Sequence, residues 1–157
     1  MNIHDLKDTP VTDLVPHRAP MLFLDRVSGL KGDVFEAHVD LTEQSPMIQA
    51  GAVPVWVGLE YMAQATAAYA GAEGRSAGKG PKVGMLLGTR DYRATVPSFA
   101  LGQSLSIQVR KVISQANGVS AVDGVIADAH GTVLATAQLT VIEIEDLSLV
   151  RPHGGSQ

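Results

Sequence analysis

No cysteine occurs in the 157 residues, which excludes disulfides, thiolate metal ligands and a thiol nucleophile, and fits a reducing compartment. Charge of one sign is nowhere concentrated. Twelve Lys and Arg face sixteen Asp and Glu for a net charge of -4, spread without long blocks, so nothing favours a nucleic-acid phosphate backbone as partner. The opening MNIHDLKDTPVTDLVPHRAP carries acidic residues and no apolar run of signal-peptide length, so a cytoplasmic location is expected. The stretch from Gly51 to Gly71 has about the 20 residues that a membrane helix requires. It nevertheless contains Pro54, Glu60, Gln64, Thr66 and several glycines, and has no basic flank; a buried soluble helix is expected there, and no membrane partner. No two histidines have metal-ligand spacing with a carboxylate nearby, so no metal or other cofactor is expected.

What is present is one domain's worth of apolar sequence, 45% hydrophobic, enough for a single well-buried core. Within it Glu60 is the one formally charged residue between Gly51 and Gly71. A carboxylate loses several kcal/mol of hydration on burial, so a chain that keeps one inside its most apolar helix has chemistry for it to do. The helix is expected from Pro54, whose missing N–H suits a first turn, to about Tyr69. It is apolar around most of its circumference and must be surrounded.

Strands are expected at Met21 to Val27 and Asp33 to Leu41, separated by a turn at Gly29 to Gly32. In the second, Phe35, Ala37, Val39 and Leu41 alternate with Val34, Glu36, His38 and Asp40, the period of a strand with one wet face. Thr42 to Val53 reads as a loop, as does Gly71 to Pro81 with its four glycines. Further strands are expected at Lys82 to Tyr92, Ser104 to Ser114, Val119 to Ala129 and Thr132 to Ile144. Asn117-Gly118 and His130-Gly131 mark hairpins. Two strands, one buried helix and four strands argue for an α+β fold, an antiparallel sheet of five to six strands wrapped around the helix. The domain is expected to span 1–144 with a flexible start over about 1–13, and 145–157 to be a disordered tail.

Three pieces, LVPHRAPMLFLDRV (14–27), LEYMAQ (59–64) and RDYRATVPSFALGQSLSIQV (90–109), resemble the hot-dog-fold 3-hydroxyacyl-(acyl carrier protein) dehydratases of bacterial fatty acid synthesis. PHRAPMLFLD, EYMAQ and GMLLGTR together are most similar to the dehydratase-like proteins encoded with aryl polyene biosynthesis. The resemblance implies a catalytic pair acting across a dimer interface: a loop histidine removes the proton alpha to the thioester, and a helix carboxylate from the other subunit helps the beta-hydroxyl leave as water. Glu60 matches the carboxylate. The histidine's position, fourteen residues before the carboxylate and eight before a proline, is held here by Pro46. The backbone amides of Val55 and Trp56 match the oxyanion-binding position at the helix start. Trp56 reads either as plain core or as the wall of an acyl tunnel. Gln64, one turn after Glu60, is placed to hydrogen-bond the carboxylate or a substrate oxygen, or else to tie the helix to a strand.

The resemblance also matches His17 to a histidine outside the catalytic pair, and the other histidines read as surface groups. Arg18, Arg26, Lys82, Arg90 and Arg93 lie nearest the implied tunnel mouth, where an acidic acyl carrier protein would dock. Three functions stand open: a dehydratase subunit that completes a shared site in a homodimer or with a histidine-bearing partner, a non-catalytic or acyl-binding partner, and a thioesterase using Glu60 on a thioester carbonyl.

Overall fold

The computed structural model describes residues 1–78 and 83–144. Within them the chain runs β1 (Arg26–Lys31), β2 (Val34–Asp40), β3 (Ala52–Pro54), α1 (Gly58–Ser76), β4 (Val83–Ala94), β5 (Ser98–Ala100), β6 (Ser104–Ser114), β7 (Val119–Ala127) and β8 (Val133–Ile144). Tight 3-10 turns lie at Val11–Asp13 and Val55–Val57. Six strands form one antiparallel sheet in the order β1-β2-β6-β7-β8-β4, and β3 pairs separately with β5. The sheet wraps α1, as the alternation and the element order imply.

The alternation in β2 is realised residue by residue. Phe35, Ala37 and Val39 are buried while Val34, Glu36, His38 and Asp40 are half-buried. Buried residues run around the whole of α1, including Tyr61, Met62, Ala65, Ala68 and Ala72, so the helix is held by its surroundings rather than by one apolar stripe. Small residues set how closely the sheet approaches. A Cβ on Gly124 of β7 would lie 2.6 Å from the Met62 sulfur.

Three expectations are corrected. The first strand begins at Arg26 rather than Met21, because the Phe23 N–H and the Met21 carbonyl are both engaged by the Gln64 side chain instead of a neighbouring strand. The helix continues through the expected loop to Ser76. Gly71 does not break it, because its bare Cα admits the carbonyl of Leu14, which lies 1.9 Å from where a Cβ would stand. Glu73 then pairs with Lys111 of β6, which also bonds Glu143 at 2.9 Å and lies over the Tyr69 ring. Third, the loop before the helix ends in β3, too short at three residues to show a period. The expected tail, 145–157, lies outside the described residues.

The two edges of the large sheet are treated differently. Along β1 the opening residues pack down: Leu6 N–H donates to Ser28 O (2.9 Å), Leu30 N–H donates to Ile3 O (2.8 Å), and Leu6 is 1% exposed. Gly29, with φ +119°, lets this segment approach, since a Cβ there would sit 2.7 Å from Ile3 O. Along the outer edge of β4 nothing pairs among the described residues. There Met85, Leu86 and Leu87 are consecutive, apolar and exposed, so that edge is long, bare and greasy.

Candidate active site

Glu60 sits in the first turn of α1, half-buried. It borders a cleft of about 190 Å³ between the helix and β4, together with His17, Ala63, Thr66, Met85 and Leu86. Ala63 and Ala67, one and two turns beyond Glu60, keep that space open. The carboxylate is oriented by Gln64, whose Nε2 donates to Glu60 Oε1 at 3.0 Å. Among the described residues no Lys or Arg, Arg90 and Arg93 included, pairs with Glu60. One carboxylate oxygen is thus held by an amide, and among the described residues no Lys or Arg lines the cleft that the group faces.

Gln64 is completely buried. Its Nε2 also donates to the Met21 carbonyl (2.8 Å) and its Oε1 accepts the Phe23 N–H (2.8 Å). With an amide's one acceptor and both donors engaged inside the protein, Gln64 holds Glu60 and straps the helix to residues 21–23, and no hydrogen is left over for a substrate. Replacing Gln64 by leucine leaves the buried Phe23 N–H without an acceptor. Equilibrium urea unfolding is expected to show a loss of about 2–4 kcal/mol.

His17 enters the site unannounced by its spacing. Its Nδ1 is buried with no hydrogen-bond partner, the one such side-chain atom among the described residues, and its ring lines the Glu60 cleft. Arg18 fixes this corner by donating to Val15 O (2.9 Å) and His17 O (2.7 Å). An unpartnered buried nitrogen costs about 1–3 kcal/mol, and sequence separation from Glu60 gave no sign that the two would share a wall.

Val55 and Trp56 lie in the 3-10 turn ahead of α1, and neither lines the Glu60 cleft of the same chain. The Val55 N–H donates to Pro97 O at 3.2 Å, while its carbonyl accepts a short bond from the Tyr92 hydroxyl. The Trp56 ring is 52% exposed, so it is not core. Pro46 borders a different cleft, on the side of Tyr61. Within one chain, therefore, the family's base position and the carboxylate do not meet.

The remaining histidines play other parts. His38 contacts Ser28 Oγ at 2.6 Å and Glu36 at 3.3 Å, both through Nε2, and burial lowers its pKa. His4 bonds the Leu30 carbonyl. No group of His, Asp and Glu able to hold a metal ion is found among the described residues, and no described helix is long and apolar enough to cross a membrane. Of the basic residues, Arg26 is paired with Asp40 at 2.8 Å, Arg90 and Arg93 are exposed on β4, and Lys82 lies outside the described residues.

One helix sheathed by an antiparallel sheet, with a carboxylate in the helix's first turn, is the layout of hot-dog dehydratases. The chain belongs to the ApeP-like dehydratase family, whose model, described as ApeP dehydratase, matches residues 9–150, in agreement with the aryl polyene words of the sequence. Among known structures it is similar to the dehydratase heterocomplex ApeI:P from Xenorhabdus doucetiae, at 28% identity and a TM-score of 0.81, covering 93% of this chain and 98% of that one. The fold is shared at 14% identity with smu.793 from Streptococcus mutans bound to acetyl CoA, TM-score 0.62, covering 82% and 93% of the two chains. It is shared also with the PaaI protein from the Escherichia coli phenylacetic acid degradation operon, at 14% identity, TM-score 0.58 and coverage of 77% and 79%. No curated protein matches.

Proposed function

We propose that this chain supplies Glu60 as proton donor in the dehydration of 3-hydroxyacyl thioesters on acyl carrier protein, in a cytoplasmic heterodimer whose partner supplies the histidine base. The observation that carries the reading is the Glu60 carboxylate, oriented by Gln64 at 3.0 Å and bordering a cleft with no Lys or Arg in its lining among the described residues. Pro46, which cannot move a proton, supports the second half of the reading. So does its place in a separate cleft from Glu60, because a pair split between subunits needs no meeting within one chain. The similar Xenorhabdus doucetiae structure is a heterocomplex, and the bare β4 edge of this chain offers a strand for another subunit to extend.

The chemistry divides accordingly. The partner's imidazole takes the alpha proton, and the electron pair moves toward the thioester carbonyl. The beta C–O bond then breaks as Glu60, in its acid form, gives its proton to the departing hydroxyl, leaving an enoyl thioester and water. Gln64 is a positioning residue in this scheme. Exposed Trp56 belongs to the face that would meet substrate or partner, at a helix start that favours developing negative charge, whereas the Val55 amide is already spent on Pro97 O.

Purified alone, the chain is expected to convert 3-hydroxyacyl carrier protein to the enoyl form at no more than background rate. Adding a histidine-bearing hot-dog subunit is expected to restore turnover, followed by mass spectrometry of the carrier-bound acyl group. Efficient dehydration by the isolated chain refutes the shared site, and release of free acid without enoyl product selects thioesterase chemistry instead.

A further inference from the structure

The Glu60 cleft has two proton-exchanging side chains in its lining and, among the described residues, no other group free to carry a proton. Thr66 is the remaining polar side chain there, and its hydroxyl is spent on the Met62 carbonyl at 2.8 Å. The rest of the lining is apolar or glycine. What remains is Glu60, bonded by Gln64 at Oε1, and His17.

A histidine kept for packing has its ring nitrogens bonded. In this chain His4 Nδ1 bonds the Leu30 carbonyl at 2.9 Å, and His38 Nε2 bonds Ser28 Oγ at 2.6 Å. His17 is held differently. Its Nδ1 is buried without a partner, and its Nε2 is neither bonded to a described residue nor sealed from solvent. The tautomer of a histidine is set by the bond that its other nitrogen makes; no such bond exists here, so the ring is committed neither to giving a proton nor to taking one. The backbone, by contrast, is pinned: Arg18 bonds the Val15 and His17 carbonyls, and the Leu14 carbonyl packs against Gly71. The imidazole is thus fixed in place at the wall of the cleft while its protonation stays free.

The elimination leaves protons misplaced. Each turnover puts the alpha proton on the partner's imidazole and takes one from Glu60, so Glu60 must be reloaded before it acts again. Hydronium at pH 7, about 10⁻⁷ M, meets an open carboxylate no more than about 10³ times a second at a diffusion limit of about 10¹⁰ M⁻¹s⁻¹. A half-buried carboxylate is met less often. Enzymes commonly turn over at about 1–10³ s⁻¹, so reloading from free hydronium alone can hold the cycle back.

Resting on the dehydratase reading, we infer that His17 is the proton relay that reloads Glu60 between turnovers. Its imidazole takes a proton from solvent or buffer, becomes imidazolium, and passes that proton across the cleft to the Glu60 carboxylate. The partner's imidazolium releases the alpha proton to solvent, so one proton enters and one leaves for each water formed. The cleft of about 190 Å³ admits a short file of water molecules, each taking about 30 Å³ in the liquid, to carry the proton. His17 acts through Glu60 and need not touch the substrate.

The test compares the first turnover with the steady state, by quenched flow, in the complex of this chain with a histidine-bearing hot-dog subunit, in dilute buffer too bulky to enter the cleft. His17→Gln keeps a polar head but cannot pass a proton at neutral pH. Its first turnover is expected at the native rate, because a resting Glu60 has had time to load. Its steady-state rate is expected to fall about tenfold or more, and rising concentrations of imidazole are expected to restore it. A structural histidine lowers both phases alike and leaves imidazole without effect; that result overturns the relay, as does an unchanged steady state. The native complex gives a check that needs no variant. With the relay built in, its steady-state rate is expected not to rise with imidazole, and a rise overturns the inference. A native complex that yields no enoyl thioester refutes the dehydratase reading itself, and the relay with it.

Discussion

With Glu60 replaced by glutamine, the dehydration rate of the complex between this chain and a histidine-bearing hot-dog subunit is expected to fall by about 10²–10⁴-fold, the usual worth of a positioned general acid. That range corresponds to about 3–5 kcal/mol of transition-state free energy. The substitution is well matched for the purpose. Glutamine fills the same volume, and its carbonyl oxygen can still accept the 3.0 Å bond from Gln64 Nε2, so packing and orientation persist while the transferable proton is removed. Circular dichroism and complex formation are expected to be unchanged, with kcat reduced and KM little affected. An unaltered rate in an intact complex assigns the chain to assembly alone.

Gly71→Ala is expected to be the most damaging conservative change to the fold. By helix propensity alone it is favourable, since alanine is better than glycine in a helix interior by about 1 kcal/mol. Sterics reverse the sign: the new Cβ would stand 1.9 Å from the Leu14 carbonyl oxygen and 2.8 Å from its carbon. Both are backbone atoms, and Leu14 is itself core, 1% exposed. Either the helix shifts or the segment ahead of β1 is pushed off it, at a net loss of about 2–3 kcal/mol. For a domain of this size that lowers Tm by roughly 5–10 °C. The matched control is Gly88→Ala in β4, where no atom lies within 4 Å of the added Cβ; a change within about 0.5 kcal/mol is expected there. A Gly71→Ala chain that melts with the native protein removes the close approach from the account of why the helix runs on.

Much of the architecture was legible because it rests on local pattern. The alternation in β2 and the hairpin signals at Asn117-Gly118 and His130-Gly131 depend on neighbours in the chain, and β6, β7 and β8 fall within two residues of their expected bounds. The errors share a different origin. Gly71 in a glycine-rich stretch looks like a breaker until Leu14, far away in sequence, is seen to need the space. Met21 to Asp25 looks like a strand until a buried amide in α1 takes its hydrogen bonds. At the site, Glu60 and Gln64 announced themselves by charge and by one-turn spacing. His17 did not, because its nearness to Glu60 is made by the packing of the opening segment against the helix, and no periodicity records that. Of the two readings of Trp56, plain core fails for the opposite reason: the residue belongs to an apolar stretch but stands exposed at its front end.

The outer side of β4 sets terms for how this protein can be handled. Unsatisfied main-chain groups flanked by methionine and two leucines are a template onto which any extended polypeptide can add itself, a hazard that stable sheets blunt with lysine, proline or a covering segment. The β1 side has such a cover in the opening residues; β4 has none among the described residues. Freshly made copies thus face a race between capture by the proper neighbour and clumping, and soluble yield should depend on what else is produced in the same cell and at what ratio.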